Sequence, residues 1–187
     1  MSRRLYGIVL VLAGVLGGNP RAESVDPELR ARVAGLLGAY RAVTVAEWRA
    51  LGSEAGPVLE AVARDAAALP TRRARALAAL GAIQPVAAGP LVRELATDAT
   101  TPRVLRSAAV DAASSVLGDE AAALLVPLLR DRDATLRVQS ARALAASGPA
   151  GCRALVAETR TRPASDPVAQ TAASCEARLE VTPKAEH

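Results

Sequence analysis

The sequence predicts an all-α fold, a short α-α superhelix or solenoid of about four helical hairpins. Passages starting at Leu69, Thr101, Asp133 and Asp166 repeat one another at intervals of about 32 residues. That is the period of stacked helix pairs, in which no unit buries its apolar face without a neighbour. The 187 residues are 51% hydrophobic and only 22% charged, too apolar for a disordered chain, and include no Phe, one Trp and two Tyr. The interior must therefore be Leu and Val set against Ala, the strongest helix former. Few segments alternate β-branched or aromatic residues with polar ones, as a half-buried strand requires.

In chain order, Arg3 and Arg4 precede an apolar run from Leu5 to Gly18, broken by Asn19 and Pro20. This pattern reads as a secretory signal peptide over residues 1–22, and its apolar run is too short to span a bilayer. No clean small-x-small pair marks the cut, and an uncleaved N-terminal anchor is the alternative. No Cys lies near the junction, so a lipid-modified N-terminus is not expected. The chain carries 23 basic and 19 acidic residues, and loss of Arg3, Arg4 and Arg21 with the leader leaves 20 against 19. The basic excess that would invite phosphate binding mostly disappears on export.

Residues 23–54 read as N-terminal capping helices. Asp26 before Pro27 is an N-cap followed by Pro at the first helical position, and Leu29, Val33, Leu36, Leu37 and Tyr40 bury one face of that helix. A second helical stretch begins near Val45, with Trp48 as the core anchor of this first hairpin. Further helices are expected at about 55–67, 71–83, 87–97, 102–117, 119–130, 134–147, 150–160 and 167–180, divided by Pro, Gly, Asp and Thr signals. Loops this short leave no room for an inserted catalytic domain. Residues 182–187 read as a disordered tail.

The stretch Asp131, Arg132, Asp133, Ala134, Thr135, Leu136, Arg137, then the small-residue run to Ala143 and Leu144, resembles the second-helix signature of HEAT repeats. Leu105 and Arg106 leading to Ala112 and Ala113, and Arg73 leading to Ala79, Leu80 and Gly81, fit the same frame. The resemblance covers residues 55–181. The last unit departs from it, with Ala169 where the Arg should stand, as suits a capping repeat. HEAT-like proteins are mostly binding scaffolds, so the resemblance implies an interaction surface; a minority are enzymes, including bilin lyase-type proteins and DNA base-excision enzymes.

The most regular polar feature is a double ladder. Asp65, Asp98 and Asp131 are each 33 residues apart, and Arg73, Arg106 and Arg137 follow at 33 and 31. Each Asp falls in the turn before a second helix, where it can accept orphan N–H groups. Each Arg can reach an Asp of its own or the adjacent unit. The ladder is therefore expected to be structural, leaving Arg72, Arg75, Arg103 and Arg142 as the candidates for partner binding. Cys152 and Cys175 lie at equal distances from the turn between the last two helices, so they sit at one height on antiparallel helices. A disulfide between them is expected in an oxidising compartment; two buried thiols are the alternative.

The only His is His187, the last residue, so His-based metal sites, triads and acid–base pairs have no ligands to draw on. No Gly-rich phosphate loop with Lys occurs. No catalytic residue, metal ligand or cofactor is therefore assigned, and the expected function is that of a non-catalytic, exported scaffold, periplasmic or secreted. It would act as a monomer or part of a complex, binding a protein through its concave helical face. The alternatives are a HEAT-like enzyme, which export disfavours, and an Arg-mediated binder of an anionic polymer. Nucleic acid is not an expected partner, and no transmembrane span is expected in the mature chain.

Overall fold

The structure, a computed structural model, describes residues 26–181. The leader expected over 1–22, the tail expected over 182–187 and His187 lie outside the described residues. The described chain is helical, with no strand among its residues. The helices are α1 (Pro27–Gly38), α2 (Val45–Arg49), α3 (Ala55–Arg64), α4 (Pro70–Ile83), α5 (Pro85–Thr97) and α6 (Arg103–Leu117). After a 3-10 turn at Gly118–Glu120 come α7 (Ala121–Leu128), α8 (Ala134–Ala146), α9 (Gly148–Thr159) and α10 (Pro167–Val181).

Neighbours in the chain pack as pairs, and the pairs meet in two rows. The even helices touch in succession, α2 with α4, α4 with α6, α6 with α8 and α8 with α10. Among the odd helices, α1 meets α3, α5 meets α7 and α7 meets α9. Between the rows lies the core, where Leu59, Leu77, Leu80, Leu91, Leu105, Leu125, Leu136 and Leu144 are fully buried beside Ala76, Ala88, Ala109, Ala113 and Ala141. Leu set against Ala is how an interior without Phe reaches close packing.

Hairpins follow one another through single-residue links, Gln84 between α4 and α5 and Ser147 between α8 and α9. At Gly118 the backbone turns with φ of +54°, a conformation that costs a glycine little. The expected helix at 119–130 is consequently shorter: Asp119 and Glu120 belong to the 3-10 turn, and the regular helix ends at Leu128. At the other two links the helices begin earlier than expected, with Pro85 and Gly148 inside the first turn. Gly151 interlocks α8 and α9, since a Cβ there would stand 2.2 Å from the Leu144 carbonyl oxygen.

Helix α2 has five residues, too few to persist alone. A capping box holds it: Glu47 N–H donates to Thr44 Oγ1 (3.2 Å) and Thr44 N–H donates to Glu47 Oε2 (2.8 Å). Arg41 adds an ion pair to Glu47. These contacts hold the Glu47 carboxyl down at about 2, through the Arg41 hydrogen bond first and the Thr44 bonds after it.

Candidate functional site

The ladder aspartates stand in the turns between the helices of each pair and the arginines in the first turns of α4, α6 and α8, but most of their partners differ from the expected ones. The aspartates do not cap the second helices. Asp65, Asp98 and Asp131 accept instead from the backbone N–H two residues on, at Ala67 (2.9 Å), Thr100 (2.8 Å) and Asp133 (2.8 Å), because the helices start five, five and three residues later. Side-chain caps fall to Asp133, which accepts from Thr135 and Leu136 N–H, and Asp166, which accepts from Val168 N–H.

The ladder arginines reach mainly for backbone. Arg73 Nε donates to Ala63 O (2.9 Å) and Arg106 Nε to Ala96 O (2.8 Å), covering carbonyls that the ends of α3 and α5 leave without a helical donor. At the corresponding place in the next unit, Leu129 O accepts from Arg162 (2.6 Å). Arg137, offset by the shorter spacing, donates to Asp131 O (2.9 Å) and Arg132 O (3.2 Å). Asp and Arg of the ladder form one ion pair between units, Arg106 with Asp131 at 2.6 Å, each side chain only 14% exposed. Burial alone would raise the Asp131 carboxyl, but the Arg106 hydrogen bond, the Asp133 N–H and the charges of Arg106 and Arg137 hold it below the usual carboxylate range.

A second set of ties runs along the odd row: Arg64 of α3 to Glu94 of α5 (2.8 Å), Arg93 of α5 to Glu120 in the turn before α7, and Arg130 just after α7 to Glu158 of α9 (2.7 Å). At the chain's end the Cys152 and Cys175 sulfurs are bonded at 2.07 Å, joining α9 to α10. The Arg178 guanidinium lies 3.1 Å from each sulfur.

Of the four arginines expected to face a partner, two are engaged within the chain. Arg75 donates to Leu37 O and Ala39 O, both at 2.9 Å, closing the end of α1. Arg103 pairs with Asp133 at 2.8 Å and bonds Thr135. Arg72 and Arg142 are exposed. Arg142 lies close enough to Asp111 to lower its carboxyl, though the burial of Asp111 outweighs this and leaves the group above the usual range.

The even-helix face also carries a trough that sequence patterns do not show. Its larger part, about 590 Å³, is walled by Val45 and Arg49 of α2 and by Asp111 of α6. Its floor is Ala78, Gly81 and Ala82 of α4 with Ala108, Ala112 and Ser115 of α6. An adjoining cleft of about 260 Å³ shares Val45, Ala78 and Ala82 and reaches Trp48, Arg41 and Arg75. The trough exists because the floor side chains are small and α2 has five residues where α4 has 14 and α6 has 15. Trp48 is 6% exposed, a core residue with one edge at the cleft. Among the described residues no cluster of His, Cys, Asp and Glu could hold a metal ion, and no helix is long and apolar enough to cross a membrane. Searches of protein-family models, curated proteins and solved structures return no match to this chain.

Proposed function

We propose that the chain is an exported, non-catalytic solenoid of HEAT-like hairpins that binds a partner protein through the concave face of its even helices. The observation that carries this reading is the open trough across α2, α4 and α6, floored by small side chains. Two further features support it. The succession of contacts along the even and odd rows is what stacked hairpins produce. The Cys152–Cys175 bond suits an oxidising compartment, as an exported protein would meet. An Arg-mediated polymer binder is less well served, since Arg75 and Arg103 are committed to contacts inside the chain.

The test is affinity capture from the cell envelope with the wild-type chain and with Ala78→Leu. Ala78 is exposed and lines both parts of the trough, so the larger side chain fills the space without entering the core. A protein captured by wild type and lost with the variant is the expected result. Undiminished capture of the same protein by Ala78→Leu, with the melting temperature unchanged, would overturn the reading.

A further inference from the structure

We propose that the trough takes an apolar helix of the partner that sets a carboxylate against Arg49; this rests on reading the even-helix face as a protein-binding surface. The occupant's backbone comes first. An extended segment would bury N–H and C=O groups against a floor of Ala, Gly and Ser, with no strand among the described residues to pair with. A helix satisfies its own backbone groups and can approach closely over side chains no longer than Ser.

Charge then selects the helix. Three cations line the two parts of the trough. Arg41 is paired with Glu47, and Arg75 is held by the carbonyls of Leu37 and Ala39. Arg49 has no acceptor among the described residues. On the opposite wall Asp111 makes no ion pair among the described residues, and the charge of Arg142 offsets its burial only in part, so the other flank of the helix would set a donor against it. A helix closing the trough would strip water from Arg49, and a desolvated guanidinium without an acceptor is costly. The partner must bring that acceptor, and a carboxylate forms the strongest, forked contact with Arg.

Trp48 is the only Trp of the chain and edges the cleft that adjoins the Arg49 part of the trough, so its emission responds to an occupant that covers both parts. The probes are two Trp-free helical peptides of about 18 residues, with a Leu and Ala stripe and either Glu or Lys at one central flanking position. Titrated into the full chain, the Glu peptide is expected to shift Trp48 emission and to bind about ten-fold more tightly than the Lys peptide. Arg49→Glu should invert that preference, and Ala78→Leu should abolish both responses. Equal affinity of the two peptides, or a preference that survives Arg49→Glu, overturns the carboxylate assignment; if Ala78→Leu still blocks binding, the face itself remains the binding surface. No response to either peptide overturns the helix proposal, while capture of a partner sensitive to Ala78→Leu would leave the wider reading standing.

Discussion

At the scale of single residues, the Arg106–Asp131 pair is the most buried ion pair among the described residues, ahead of Arg162–Asp166. Removing one partner from a buried pair strands the other, whereas an exposed pair simply returns to water. Arg106→Gln should therefore lower the unfolding free energy by about 2 kcal/mol in urea titrations, less than for a wholly buried pair because each side chain keeps some contact with water. Arg130→Gln, whose side chain is 76% exposed, should cost less than about 1 kcal/mol in the same measurement. Equal losses would remove burial as the deciding factor. The positions of Asp65, Asp98, Asp131, Arg73, Arg106 and Arg137 were legible in the sequence because they recur. Apart from the Arg106–Asp131 pair their bonding partners were not, because the acceptors at Ala63, Ala96, Asp131 and Arg132 are backbone carbonyls, which carry no side-chain signature.

At the scale of elements, the apolar spacing and the Pro, Gly and Asp signals locate every helix from α1 to α10, but ends move, and Tyr40, expected on the buried face of α1, lies beyond its end and is exposed. Pro85 and Gly148 look like breakers to a reader of the sequence, yet both fit a first turn, where the backbone N–H has no helical acceptor to lose. The trough was not legible, since it depends on how the short α2 lies beside α4 and α6. Among the described residues the pair α9 and α10 packs mainly against α7 and α8, and the disulfide adds to its stability by restricting the unfolded chain. Replacing both Cys152 and Cys175 with Ala should cost about 3 kcal/mol for a loop of 23 residues. Urea unfolding of the variant beside the oxidised and reduced wild type checks this; a reduced wild type as stable as the oxidised one would contradict it.

At the scale of the whole molecule, the carboxylates set an acid limit. Glu47, Asp98, Asp131 and Asp166 all have folded-state values below their ordinary ones. Such groups stabilise the fold fully above their unfolded values of about 4, and the contribution is lost as pH falls through the folded values. The melting temperature should thus stay level from neutral pH to about 5 and fall between about pH 4.5 and 2, where the Glu47 transition ends. Circular dichroism melts across that range test it, and Asp131→Asn should make the decline shallower.

The contact pattern has a kinetic meaning. The principal contacts join helices no more than three places apart, so the contact order is low and folding should be fast. Opening is then expected to travel inward from an end rather than break out everywhere at once. Among the described residues the last pair is fastened covalently at Cys152 and Cys175, while α1 and α2 are held by non-covalent contacts. Amide hydrogens of α1 and α2 should exchange with solvent first. Because α2 forms a wall of the trough, a bound partner would slow that exchange, coupling occupancy to the persistence of α1 and α2.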